Sequence, residues 1–262
     1  MQAEVATNVG SNGSLAAVGS ATKMDVAAII DHRNQEFIDN AKEQLKNLDQ
    51  FTTEALEWIM MEHYQFSLRN TKFLASAAEL TGSFDTEAVK KELIRNCGEE
   101  NGHAPMYKAA LKKIGVDIET RDEFPSTTHF LDTIGELVDG EPSAVLGMMF
   151  ATETAAIFEH EVFLDISNEI IKRRNLADKG TDLVYFHEMH LSGVEQSHRE
   201  ELGVFLRGLP VDQPVANKEG DRPTIYTQQA ITGAKQAIAA MTTWWADLLA
   251  ELNARSSNPA TA

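Results

Sequence analysis

The sequence predicts an all-α protein, and three observations carry that expectation. Apolar residues recur at three- and four-residue intervals along nearly the whole chain. Few segments alternate with the period of two that a half-buried strand requires. Groups of Gly, Pro and basic residues break the pattern at helix-length intervals. The chain of 262 residues is long enough to bury a substantial core. It reads as one domain of seven or eight helices over residues 25–252, between flexible tails at 1–24 and 253–262.

In chain order, Asp25 to about Glu43 forms the opening helix. Phe51 to Glu79 carries a long amphipathic pattern through Leu56, Ile59, Met60, Tyr64, Phe66, Leu68, Phe73 and Leu74. Thr81-Gly82-Ser83-Phe84-Asp85 is a break with capping residues, after which Thr86 to about Ile114 reads as one helix that stops at Lys112-Lys113-Ile114-Gly115. Pro125-Ser126-Thr127 starts a segment that runs to Val138 and closes at Asp139-Gly140. Pro142-Ser143 opens the most apolar helix, Ala144 to about Arg174. Asp182 to Leu206 follows and ends at Arg207-Gly208-Leu209-Pro210. A polar loop with Pro214, Gly220 and Pro223 leads to the last helix, Thr227 to Leu252.

Composition excludes several function classes. A formal charge of −17 argues against a nucleic-acid binder, which meets phosphates with clustered Lys and Arg, and against an anionic membrane surface. The single Cys97 rules out an intramolecular disulfide and a Cys-rich metal site, and fits a reducing, cytoplasmic setting. No apolar run of about 18 residues exists to span a bilayer. The first two dozen residues lack the basic and apolar stretches of a secretion signal.

The chemistry lies in two copies of one pattern, Glu100-x-x-His103 and Glu195-x-x-His198. On a helix, residues three apart are neighbours, so each copy puts a carboxylate and an imidazole on one face. Paired Glu-x-x-His motifs with single carboxylates from other helices recur in dinuclear carboxylate sites. Around the first copy, Gly98, Gly102 and Pro105 weaken the helix that must place the pair; Glu99 is adjacent and points elsewhere. Around the second, His187, His190, Glu195 and His198 converge on one broad stripe at about 100° per residue. His190 and Glu195 are five residues apart, which puts them some 140° apart on a regular helix and suits a π-bulge near Leu191 to Val194, where Ser192-Gly193 eases the departure. His32, His63, His129 and His160 are isolated and read as packing or surface residues. In the apolar helix, Glu153 is flanked by residues that are normally buried, and cation binding is one of few ways to satisfy a carboxylate there. Glu159, about 120° away, is the competing choice.

The order Glu-x-x-His, a lone Glu in an apolar helix, then Tyr185-Phe186 with His190, an acid and a final His resembles the haem-oxygenase-like diiron oxidases and oxygenases over roughly residues 50–210. Relatives there include an enzyme that turns fatty acids into terminal alkenes, a lyase acting on chlorinated lysine and a chlamydial protein involved in making 4-aminobenzoate. Arg95-Asn96, Ala151-Thr152-Glu153 and Met189-His190 look like family positions. The resemblance implies a haem-oxygenase-like helical bundle and the ligand set Glu100, His103, Glu153, His190, Glu195 and His198, favouring Glu153 over Glu159. It also implies two Fe(II) per chain and O2 as cofactors. The family usually has Asp in place of Glu195, four residues after the His rather than five. The second iron position is therefore expected to be distorted, weakly occupied or served by His187. A related cofactor-free branch, which includes thiaminase-like and quinone-cofactor synthesis enzymes, lacks this ligand set.

Mixed carboxylate and imidazole donors suit iron or manganese rather than structural zinc. The expected activity is O2-dependent transformation of a small amino-acid-like or fatty carboxylate by N-oxygenation, desaturation or carbon–carbon cleavage, with Arg95, Lys108 and Arg199 as candidate substrate anchors. Two rivals remain. One is a ferritin-like diiron protein drawing its first carboxylate from Glu54, Glu57 or Glu62. The other is a non-enzymatic helical interaction protein with surface His. The acidic surface and the apolar last helix with Trp244-Trp245 suggest a homodimer.

Overall fold

The computed structural model describes residues 23–211 and 224–257. Among them are α1 (Val26–Leu45), α2 (Thr53–Thr81), α3 (Ala88–Glu100), α4 (His103–Lys113), α5 (Pro125–Leu137), α6 (Pro142–Arg174), α7 (Thr181–Met189), α8 (Glu195–Leu206) and α9 (Thr227–Ser257). Helix α7 runs into α8 through π-helical residues His190–Val194, so the pair forms one interrupted helix and the all-α expectation holds. Two short strands, β1 (Lys23–Asp25) and β2 (Arg207–Pro210), pair antiparallel with Met24 opposite Leu209. They are too short to show alternation in the sequence. Asp25 ends β1 and caps α1, its side chain accepting from Ala28 N at 3.0 Å.

Helix α6 is the central element. It starts with Pro142 in its first turn and ends at Asn175 in the left-handed conformation, with Lys172, Arg173 and Arg174 in the last turn. Its N-terminal half is apolar nearly all round and is enclosed, while Glu161, Asp165 and Asn168 keep one face of the C-terminal half in solvent; α1, α2, α8 and α9 pack against it. It runs alongside α9 from Ser143, whose hydroxyl accepts from Tyr226 N at 2.9 Å, to Phe163 beside Trp245. The two helices touch backbone to backbone where side chains are smallest. A Cβ at Gly147 would lie 2.0 Å from Ala230 O, and one at Gly233 would lie 1.9 Å from Ala144 O.

Three expectations change. The helix expected from Thr86 to Ile114 breaks at Asn101-Gly102, with Gly102 left-handed at φ 102. Pro105 is the cause: inside a continuous helix its ring would collide with the carbonyl four residues earlier, so α4 starts afresh and places Pro105 in its first turn. The last helix does not stop at Leu252 but continues to Ser257, because Ser256 and Arg255 pack on the start of α2: Thr52 N donates to Ser256 Oγ at 3.1 Å and Arg255 lies over the Trp58 ring. Trp244 and Trp245 are each 1% exposed. Their rings serve the core of this chain, so they offer no face to a second copy. Of the expected tails, 1–24 and 253–262, residues 23–24 lie in β1 and 253–257 in α9, and the remainder, 1–22 and 258–262, falls outside the described residues, as does the loop with Pro214, Gly220 and Pro223. No described helix is long and apolar enough to cross a membrane.

Candidate metal centre

The turn that breaks the long helix builds the first half of the site. Glu100 is the last residue of α3 and His103 the first of α4. They therefore do not share a helical face as the spacing suggested. Left-handed Gly102 folds them together instead, and Glu100 Oε2 comes within 3.0 Å of His103 Nδ1. The second half comes from the junction of α7 and α8. Gly193 takes φ 113 within the π segment, and the added residue swings Glu195 round until its Oε1 is 4.0 Å from His190 Nε2. Regular geometry would have left the two side chains apart. Helix α6 supplies Glu153, with Oε2 3.5 Å from His198 Nδ1; Glu195 Oε2 lies 3.7 Å from the same nitrogen.

These residues form overlapping donor groups. One ligand atom each from Glu100, His103 and His190 lies within 4.8 Å of the others, as is true of Glu100, Glu195 and His198; Glu100 is common to both. His103 Nδ1 and His190 Nε2 are 3.0 Å apart. His190, Glu195 and His198 are all nearly fully buried, and Glu100 and Glu153 only slightly less so. A cation fits this arrangement. Glu100 Oε1 and His198 Nδ1 are buried atoms with no hydrogen-bond partner, which is costly unless something else binds them.

Outer contacts orient the imidazoles. His198 Nε2 pairs with Glu99 Oε2 at 2.8 Å, and His190 Nδ1 with the Phe186 carbonyl at 2.6 Å. Each ring thus donates through one nitrogen and turns the other inward, as metal-bound His residues do. Glu99, expected to point elsewhere, is part of this support, held in turn by Arg95 Nη1 at 2.6 Å.

The electrostatics reflect crowded buried carboxylates. Burial, with Glu153 and Glu100 nearby, pushes Glu195 up to about 8. Burial opposes charge on His198, but Glu153 and Glu195 outweigh it and push that imidazole up to about 11. His190 is pushed down to about 4, chiefly by burial. Burial also drives His160 and His187 well down, neighbouring imidazoles adding to it.

A small cavity of about 30 Å³ adjoins the cluster, lined among others by Phe66, Ser67, Asn70, Thr152, Ala156 and Phe186. Glu153, Glu159 and His160 all line it. Ala156, one turn from each of them, leaves the space open. Glu159 accepts from Trp245 Nε1 at 3.0 Å and lies 3.6 Å from His63 Nε2. His187 is fully buried behind the cluster, its Nδ1 3.1 Å from His160 Nδ1, and it joins none of the donor groups.

Two His residues read as isolated, His63 and His160, therefore border the site. His160 lies seven residues after Glu153, two helical turns along one stripe, and that spacing was its available signal. Nothing in the sequence ties Glu99 or Trp245 to the site, because His198 and Glu159, the partners that matter there, come from other helices. The basic anchors lie elsewhere. Arg95 is ion-paired with Glu92, Glu99 and Glu201, Lys108 with Glu119, and Arg199 with Asp31 at 2.5 Å. Among the described residues, no Lys or Arg lines the cavity.

The ferritin-like carboxylates are committed or remote. Glu62 takes a two-pronged ion pair from Arg121 at 2.7 Å, Glu57 pairs with Arg174 at 2.6 Å, and Glu54 is exposed. The burial of His187, His190 and His198 likewise departs from a protein whose His sit on its surface.

No protein-family model matches the chain, and no curated protein matches it. Solved structures do. A CADD-like protein of unknown function from Nostoc punctiforme is similar at 20% identity, with TM-score 0.64 over 86% of this chain and 98% of that one. A second structure of that protein gives 19% identity and TM-score 0.59, covering 90% and 99%. A domain of unknown function with a haem-oxygenase-like fold from Shewanella denitrificans matches at 19% identity and TM-score 0.58, covering 90% and 93%. The chain thus has an all-α fold of the haem-oxygenase-like kind, with buried Glu and His groups positioned to hold metal ions.

Proposed function

We propose that this protein is a non-haem diiron enzyme that uses O2 to oxidise a small amino-acid-like or fatty carboxylate metabolite, by N-oxygenation, desaturation or carbon–carbon cleavage. The observation that carries the reading is Glu100, buried, common to two donor groups, with one oxygen beside His103 and the other unpartnered. On one side His103 and His190 would hold an ion; on the other, Glu195 and His198, with Glu153 adjacent. A pair of Fe(II) ions bound there supplies the capacity to activate O2.

The protein's own part is holding, orienting and shielding. Phe186 and Phe66 wall the cavity and keep water from the reacting centre. Glu99 and the Phe186 carbonyl lock two imidazoles in place. Ser67 and Asn70 present uncharged polar groups at the cavity wall; at about 30 Å³ the cavity holds no more than about one or two waters, so a substrate carboxylate or amine would reach them only once lining side chains move aside. The test is anaerobic Fe(II) titration followed by mixing with O2, alone and with a panel of amino acids and fatty acids. Two Fe(II) per chain, and O2 uptake accelerated by one substrate class with a new oxidised product, are expected. Iron oxidised and retained without response to any organic partner would sink the enzymatic reading.

A further inference from the structure

One buried imidazole outside the ligand set implied by the family resemblance reaches the same centre. His160 stacks on His190 with ring centroids 3.9 Å apart and planes at 14°. Its Nδ1 is 3.1 Å from His187 Nδ1, which fixes the ring edge-on to the cavity. Its Nε2 has Glu195 Oε1 at 3.9 Å, past hydrogen-bond reach. Two donors each about 2.1 Å from one ion lie roughly 3 to 4.2 Å apart. The separation suits a shared cation better than a direct contact. One ligand atom each from His160, His190 and Glu195 lies within 4.8 Å of the others, a donor group as tight as the two that share Glu100.

We infer that His160 is a further metal donor, adding an imidazole on the side of the centre where His103 and His190 would hold an ion and where Glu195 comes within reach, with His187 as the residue that positions its ring. The inference rests on the diiron reading and gives one side of the centre three nitrogen donors, His103, His160 and His190, against His198 on the other.

The test uses the full chain loaded anaerobically with Co(II). A Co(II)-bound imidazole shows a solvent-exchangeable, strongly shifted N–H proton signal in the NMR spectrum. Four such signals are expected, from His103, His160, His190 and His198, against three if His160 only packs. His160→Gln should remove one signal and weaken one Co(II) equivalent by about tenfold or more. His129→Gln, in the groove between α5 and α9, should change neither. Three signals in the unaltered protein, or His160→Gln binding both equivalents as the unaltered protein does, overturns the inference. Failure of the unaltered protein to bind two Co(II) would instead remove the diiron reading, and this inference with it.

Discussion

At the scale of single residues, the two carboxylates of α6 make the sharpest contrast. Glu153 has its oxygen 3.5 Å from His198 and no hydrogen bond from a neighbouring side chain, whereas Glu159 accepts from Trp245 and lies beside His63. The first is placed to bind an ion, the second to satisfy the core. Glu153→Ala is therefore expected to lower iron content from two per chain. Glu159→Ala should retain iron but lose about 1–3 kcal/mol of stability, because it leaves the Trp245 N–H buried and unpaired. Metal analysis and thermal unfolding on both variants check this, and the reverse pattern would make Glu159 the ligand. Glu195-x-x-His198 and the lone Glu153 were legible because each lies within one helix whose period can be counted, whereas Glu100-x-x-His103 was legible by its spacing although a turn, and not a helical face, joins the pair. Glu99 and Trp245 were not, since a helical wheel says nothing about a partner on another helix.

At the scale of elements, the two halves of the site are both built by interrupting a helix. The interruption at His190–Val194 could be foreseen, because five residues between His190 and Glu195 cannot bring both to one point on a regular helix. The one at Asn101-Gly102 was hidden by its own motif, as Glu-x-x-His reads naturally as a helical face while Pro105 was the true signal. Glycine matters differently at nearby positions. Gly193 has φ 113 and no atom within 4 Å of the place a Cβ would take, so only backbone strain opposes a substitution there. Gly193→Ala should cost about 1–2 kcal/mol, or roughly 2–8 °C in melting temperature, and should lower affinity at the ion bound by Glu195. Gly98 also has open space but sits within α3 with ordinary helical backbone. Gly98→Ala should stabilise by about 0.5–1 kcal/mol. Unfolding curves and metal titrations on the pair separate the two effects, and a neutral Gly193→Ala would show that the π segment needs no left-handed residue.

At the scale of the whole molecule, the decisive contact joins elements far apart in sequence. Periodicity marked α6 as the most apolar helix and α9 as the last one, but which helix lies against which is not contained in either pattern. For that reason Trp244-Trp245 read as a face for a second copy, although both rings are buried against this chain's own residues. The α6–α9 contact depends on Gly147 and Gly233, each opposite the backbone of the other helix. Gly147→Ala would place a methyl group 2.0 Å from Ala230 O, with backbone rather than a flexible side chain in the way, so the helices must separate. Overpacking of this kind costs about 1–3 kcal/mol or more. The effect should also reach the site, because α6 carries Glu153, Glu159 and His160 while α9 carries the Trp245 that holds Glu159. Metal bound to the native state alone stabilises it by about 2.7 kcal/mol at a hundredfold excess over Kd. Gly147→Ala is thus expected to melt well below the unaltered protein, and to gain fewer degrees from a fixed Mn(II) or Fe(II) concentration because its affinity is weaker. Equal metal-induced shifts in the two proteins would mean that the site keeps its geometry when α6 and α9 part, and that the donors from α6 are held by α2 and α8 instead.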